Sequence, residues 1–197
     1  KEDKKETFNV CNSALKQQKV LKELNKSWKQ GGFSLIKARI WIHTWAAIIW
    51  NIWAEWKKME YTALWDNVNL ASRLEWVNKH YNTYICVSES IYNLEKENFE
   101  FRYLDEIKVK WKKKSLSIYE LIAKKGEITK IKIENLDKFE KAIFLYKKMK
   151  FKEALEIFTY LSKKRDWPSK TYKYRCEEYL KNPPKSNWDW VWVMQSK

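Results

Sequence analysis

The chain has 197 residues, with 40 Lys+Arg against 25 Asp+Glu for a formal net charge of +15, and 45% of it is hydrophobic, enough for one sizeable core. No apolar run reaches the roughly 20 residues of a bilayer-spanning helix, and the N-terminus opens on charged residues rather than a signal-peptide stretch. Cys11, Cys86 and Cys176 are odd in number, widely spaced and without a CxxC pair, which argues against a disulfide framework and a zinc site and makes a reducing compartment the expectation. The charge by itself raises nucleic acid or an anionic membrane as partner. Only five of the basic residues are arginine, namely Arg39, Arg73, Arg102, Arg165 and Arg175, whereas bidentate phosphate and base recognition favours arginine. A lysine-rich solvated surface is the better account, and no nucleic-acid partner is expected.

In chain order, Val10, Ala14, Leu21, Leu24 and Trp28 share one face of a predicted helix over 10–28, ended by Gly31-Gly32. Alternation of Ile36, Ala38, Ile40 and Ile42 with polar or aromatic neighbours predicts a strand, and the apolar run 46–49 a second one beside it. Asp66 or Asn67 can cap a helix in which Leu70, Leu74, Val77 and Tyr81 form the inward stripe, while Asn69 and Arg73, at i and i+4, share another face. A strand is predicted over 84–87, a helix capped by Ser88 to about residue 98, a strand over 99–104, and a closing pair over 107–110 and 117–122. Alternation of this kind indicates an α/β or α+β sandwich. Residues 124–135 are polar and lysine-rich and read as a linker. Beyond it, Phe139, Ala142, Leu145 and Tyr146, then Phe151, Ala154, Leu155 and Phe158, give two amphipathic helices resembling one tetratricopeptide-type unit. Such a unit cannot bury its own face and must pack on something. A third helix is predicted over 169–180, and the aromatic tail SNWDWVWVMQSK should dock.

The segment YTALWDNVNLASRLE, residues 61–75, resembles the Tyr-Thr-x-x-Gly-Asp-x-Val-Asn-x-Ala-Ser-Arg-Leu motif of the class III nucleotide cyclases, the adenylate and guanylate cyclase catalytic domain, departing only at Trp65. RIWIHTW (39–45) resembles that family's Arg-Ile-Gly-Ile-His-Thr-Gly, IIWNIW (48–53) its Val-Gly-Asn-Ile-Gly strand, and IKVKWKKKSLSIYEL (107–121) its Val-Lys-Gly-Lys segment and final strand. The helical extension and a Trp-Asp-Gly-Val-Trp-like tail resemble bacterial members of the adenylate cyclase branch.

The resemblance implies a ferredoxin-like α+β sandwich with a C-terminal α-helical hairpin extension: a partial cyclase domain over 1–123, a linker over 124–135 and a helical unit with aromatic tail over 136–197. It implies conversion of ATP to 3′,5′-cyclic AMP and pyrophosphate. By position in the motif, Asn69 would orient the ribose and Arg73 would stabilise the transition-state phosphate. Lys110 would meet the triphosphate, with Lys112 beside it, and Thr62 would read the purine, Thr at that position accompanying adenylate cyclases. Without the motif, Asn69 and Arg73 would read as polar residues on a solvated helix face. His43, one of two histidines, reads as structural.

Two departures from the family stand out. Its two metal-binding aspartates lie on strands before the helix with which this chain begins, and no Asp-x-x-Gly-Phe-like motif occurs here. The expectation is a domain lacking its first strands. The two Mg2+ or Mn2+ ions would be bound by aspartates not present in this chain, in a head-to-tail homodimer or heterodimer with another cyclase domain. A homodimer of this chain should not turn over, and the alternative is an inactive pseudo-cyclase or regulatory dimerisation subunit. The expected location is cytoplasmic, with a membrane reached only through an upstream part of a longer parent.

The second departure is compositional: Gly is 3 and Trp is 13, where ordinary usage of about 7% would give about 14 glycines. Trp41, Trp45, Trp50, Trp53, Trp65, Trp76, Trp111, Trp167 and Trp190 stand where the family shows glycine, as does Trp56. Glycine at these positions would restore ordinary usage. The expectation is a UGA codon read as tryptophan in a genome where it encodes glycine; the alternative is a degenerate relative with an aromatic-filled surface.

Overall fold

The structure, a computed structural model, describes residues 2–44, 50–52, 60–62, 77–108, 115–185 and 187–193. The first helix, α1 (Glu2–Gln30), starts earlier than the apolar pattern alone required. Thr7, Cys11 and Ala14 are its buried positions, spaced one helical turn apart. It stops at the two glycines, where Phe33 N–H donates to the Trp28 carbonyl at 3.0 Å and Gly32 takes φ 76°. A Cβ at Gly31 would stand 3.0 Å from the Phe33 ring.

The strand predicted from residue 36 begins only at Ile40, as β1 (Ile40–Ile42). Side chains of α1 occupy the preceding backbone instead. Asn25 accepts from Ile36 N–H at 2.9 Å and donates to the Ile36 carbonyl at 2.7 Å, and Gln18 donates to the Ala38 carbonyl at 3.0 Å. Alternation read correctly as extended chain, but those groups already had partners.

β2 (Trp50–Ile52) and β3 (Glu60–Thr62) form their own antiparallel pair; the strand expected over 46–49 lies outside the described residues. Helix α2 is described over residues 77–81, the end of the helix predicted from residue 66. Then come β4 (Ile85–Ser88), α3 (Glu89–Glu95), β5 (Phe99–Lys108) and β6 (Leu116–Lys124). Strand β7 (Trp192–Val193) completes a five-stranded sheet in the order β1-β4-β6-β5-β7, with β1 parallel to β4, β7 parallel to β5, and the β4–β6 and β6–β5 pairs antiparallel.

The two strands predicted over 99–104 and 107–110 are one. Asp105 and Glu106 break the apolar pattern, but the ladder runs past them, with its register shifting between Tyr103 and Asp105 so that Leu104 is the extra residue. Each face of the sheet carries a core, as the pleat dictates for β4: Ile85 and Val87 belong with Cys11, Ala14, Ile91 and Phe99 under α1 and α3, and Cys86 belongs to the other side.

That other side is closed by the C-terminal helices α4 (Lys130–Lys147), α5 (Phe151–Lys163) and α6 (Trp167–Lys181). Helix α4 starts within the lysine-rich stretch 124–135 because Thr129 caps it, its hydroxyl accepting from Lys132 N–H. Phe139, Phe158 and Tyr172 join Val77, Tyr81, Leu104, Ile107 and Ile118 in one buried cluster, each large side chain contributing about 1.5–3 kcal/mol. The hairpin's apolar face is thus covered by the sheet and α6, and the described part of the tail, residues 187–193, docks as its composition implied. Trp188 packs on Tyr146, Phe151 and Tyr179 with ring centres 5.1–5.6 Å apart.

Candidate functional site

Of the five residues singled out by the motif, Thr62 lies in the described part. It ends β3, opposite Trp50 of β2. Asn69, Arg73, Lys110 and Lys112 fall outside the described residues, so the five are not brought together here. Their flanks are described: the described part of α2 starts four residues after Arg73, and Lys108 of β5 and Ser115 before β6 flank the segment 109–114 that holds both lysines. Ser115 donates to Glu106 across the mouth of that connection.

The end of α2 is fixed with unusual thoroughness. Asn78, fully buried, donates to the Ile40 carbonyl at 2.9 Å and accepts from the Thr83 hydroxyl at 2.9 Å. Tyr81 donates from its hydroxyl to Asp105 Oδ2 at 2.5 Å and accepts from Arg175 Nη2 at 2.7 Å, while Arg175 Nη1 donates to the same Asp105 oxygen at 2.8 Å. All three are buried, Asp105 at 2% and Arg175 at 6% exposure. Burial and then the Asp105 charge push the Tyr81 phenol well above its ordinary range. Burial works against the Arg175 charge, but Tyr81 and Asp105 outweigh it and raise the guanidinium further. Next to them His80 is held down at about 4 by burial and by Arg175, with Asp105 opposing.

A second buried arginine ties the sheet to the start of α6. Arg102 of β5 pairs with Glu120, its cross-strand partner on β6, and donates to Asp166 at 2.5 Å. Asp166 is itself the cap of α6, accepting from Ser169 N–H at 3.2 Å and from the Ser169 hydroxyl at 2.5 Å. Burial alone would raise the Asp166 carboxyl, but Arg102 and these hydrogen bonds hold it below its usual range. The Arg102 guanidinium also lies 4.9 Å from the Phe139 ring centre.

His43 stacks its polar edge against β4, with Nδ1 2.8 Å from the Ser88 hydroxyl, in line with a structural role. Ser88, read as the cap of α3, makes no capping bond with its side chain because it is engaged by His43 and Ser90. The three cysteines are free and buried; burial lifts the Cys11 and Cys176 thiols to about 12, away from nucleophilic use. Among the described residues no three His, Cys, Asp or Glu side chains gather where they could hold a metal ion. No helix among them is long and apolar enough to cross a membrane. Sequence reasoning missed the Tyr81–Asp105–Arg175 group: Tyr81 read as an apolar stripe member, and Asp105 fell between the strands predicted over 99–104 and 107–110. The usable signal was arginine scarcity, since Arg102 and Arg175 are two of only five in the chain.

Residues 1–123 match the adenylate and guanylate cyclase catalytic domain. The chain is 32% identical over 120 residues to adenylate cyclase 1 of Rhizobium meliloti, covering 61% of this chain and 18% of that protein. It is 32% identical over 157 residues to the terminal-differentiation specific adenylate cyclase of Dictyostelium discoideum, covering 76% of this chain and 7% of that one. The latter share is too large to fit within residues 1–123, so the similarity runs into the helical unit. An adenylate cyclase of Anabaena cylindrica is 32% identical over 121 residues, 58% of this chain and 24% of the relative. The chain therefore spans a quarter or less of these relatives. The crystal structure of the adenylyl cyclase CyaB from P. aeruginosa superposes with a TM-score of 0.50 at 25% identity, covering 64% of this chain and 63% of that one. With the family's mixed α+β fold and a match over well more than half its length, this chain belongs to the adenylate and guanylate cyclase catalytic domain family, class III.

Proposed function

We propose that the chain serves an adenylate cyclase site, in which the ribose 3′-oxygen of ATP attacks the α-phosphorus, the bond from that phosphorus to the bridging oxygen of the β-phosphate breaks, and pyrophosphate leaves. The observation that carries this reading is the near-complete motif 61–75 inside a family match over 1–123. The adenylate cyclase relatives favour ATP over GTP.

Asn69 orients the ribose by hydrogen bonding, and Arg73, with donors in a planar fork, stabilises charge building on the α-phosphate oxygens. Their i, i+4 spacing lets both side chains serve one pocket. Lys110, with Lys112 beside it, neutralises the triphosphate and the departing pyrophosphate, and Thr62 contacts the purine. When bound, the divalent ions that class III cyclases generally use activate the attacking hydroxyl and hold the phosphates. The chain contributes Asn69 and Arg73, and a second cyclase domain with metal-binding aspartates completes the site across a dimer. The buried, unpaired thiols fit the cytoplasm.

The test is to mix the chain with a cyclase domain that carries those aspartates but has its own Asn and Arg replaced, then supply ATP or GTP with Mn2+. Cyclic AMP should form from ATP, with cyclic GMP from GTP at least about tenfold slower. Equal use of both nucleotides would contradict the role given to Thr62. A proven heterodimer that forms neither product would favour the regulatory-subunit reading.

A further inference from the structure

We infer that the groove between α1 and the end of β6 is a binding site for a small amphipathic anion, a molecule with an apolar body and one charged head. The inference stands apart from the cyclase reading, since it uses none of the residues given catalytic roles. The groove has a volume of about 320 Å³, at the small end of the range of about 300–1,000 Å³ for small-molecule sites. Its origin lies in one small residue. Leu121 of β6 is 3% exposed and fills the space against Cys11 and Ala14 of α1. Side chains two apart on a strand share a face, so Ala123 follows on that face, and its methyl leaves the space above it open. On the helix side, Asn12, Leu15 and Lys19 recur at helical spacing with Lys16 beside them, and all four line the groove. The turn after β6 borders one end. Glu127 N–H donates to the Lys124 carbonyl at 3.1 Å, Gly126 takes φ 79°, and Lys125 pairs with Glu100 at 3.0 Å.

The lining divides into an apolar floor and a charged rim. Leu15, Ile122 and Ala123 supply the floor, and all three are half-buried. Lys16, Lys19 and Lys124 supply the rim, where three ammoniums face one carboxylate, that of Glu127. Among the described residues none of the three lysines is ion-paired. Lys124 is steadied instead by an aromatic ring, its Nζ lying 5.8 Å from the centre of Phe8, which Phe99 backs at 5.2 Å. An apolar body laid on the floor is removed from water, and its charged head meets unneutralised ammoniums beside a low-dielectric wall. A neutral ligand leaves the rim unused, and an inorganic anion leaves the floor wet. Only a ligand with both parts uses the whole groove.

The test titrates the full chain, isotopically labelled, with octanoate, octanol and inorganic phosphate at low ionic strength, following backbone amide shifts by NMR. Octanoate should give saturable shifts confined to residues 12–19 and 121–127, with octanol and phosphate each binding at least about tenfold more weakly. Added salt should weaken octanoate and leave octanol unchanged. Lys16→Gln combined with Lys124→Gln should lower octanoate affinity about tenfold and leave octanol within about twofold. Ala123→Leu, which fills the floor, should weaken both ligands at least about fivefold. Octanoate shifts that fail to saturate, or that scatter over lysines of other elements, would overturn the inference. Phosphate binding as tightly as octanoate would overturn it too, as a general attraction to lysine, and octanol binding equally well would remove the anionic head from the account. Unchanged octanoate affinity in the folded double lysine variant has the same force. If Ala123→Leu fails to fold, the lysine variant decides by these criteria.

Discussion

Trp190 has φ 50° between Asp189, whose carboxylate accepts from Val191 N–H at 3.3 Å, and the short strand β7. For a bulky side chain this left-handed backbone costs on the order of 1–3 kcal/mol, and glycine adopts it freely. The position is the glycine of the family's Trp-Asp-Gly-Val-Trp-like tail, so backbone geometry and motif agree on glycine there. Trp41, also at a family glycine position, buries an indole N–H that has no hydrogen-bond partner among the described residues. Trp190→Gly should raise stability by about 1 kcal/mol in denaturant unfolding, since the contacts given up are exposed ones: a bond to Glu106 at 3.2 Å and the Lys147 ammonium 5.7 Å from the ring. A loss of stability would show those contacts to outweigh the strain. For protein from the native organism, peptide mass spectrometry over residues 40–57 is expected to read glycine at 41, 45, 50 and 53; tryptophan there would leave the divergent, aromatic-filled relative as the account. At this scale the sequence announced its odd residues well and its buried polar ones badly. Nothing in a helical stripe distinguishes a tyrosine that fills a core from Tyr81, whose hydroxyl is shared by two charged groups.

At the scale of elements, helices were legible because their apolar spacing is local: α1 ends at Gly31-Gly32 as read, while α6, predicted from residue 169, starts two residues earlier behind the Asp166 cap. Strand limits depended on partners distant in sequence. Residues 36–39 alternate like a strand yet bond to α1, and β5 passes through Asp105 because a bulge and an arginine from residue 175 accommodate a carboxylate in the ladder. The α2–α6 junction also has a pH signature. His80 titrates near 4 in the folded chain against about 6.5 when unfolded. Between those values the unfolded state binds the extra proton, so stability should fall as pH drops from about 6.5 toward 4, and be fully present above that window. His80 is partly exposed, which reduces the effect to on the order of 1 kcal/mol at pH 5. The groups around it include Arg175, Asp105 and Tyr81. Urea unfolding at pH 7 and pH 5 should show that loss in the native chain and a smaller one in His80→Gln; parallel losses would assign the pH dependence elsewhere.

At the scale of the molecule, the C-terminal helices share one buried cluster with the sheet and are bolted to it by two arginines pointing in opposite senses, Arg102 from sheet to helix and Arg175 from helix to sheet. Breaking a buried pair of this kind typically costs about 3–5 kcal/mol, a large part of a domain's margin of about 5–15. The hairpin's need for a covering surface was legible in its amphipathic pattern, and the covering surface itself was not, because the ion pairs span separations of 64 and 70 residues. The motif, a local string, was fully legible and is what ties this scaffold to cyclase chemistry. The central claim is that Arg73 of this chain works on the α-phosphate of ATP in a site completed by another domain. The most direct test measures cyclic AMP production by the heterodimer with native Arg73 and with Arg73→Ala, at saturating ATP and proven dimerisation. A fall in kcat of at least about 100-fold is predicted. Equal production by the two proteins would place the chemistry on other residues and contradict the account.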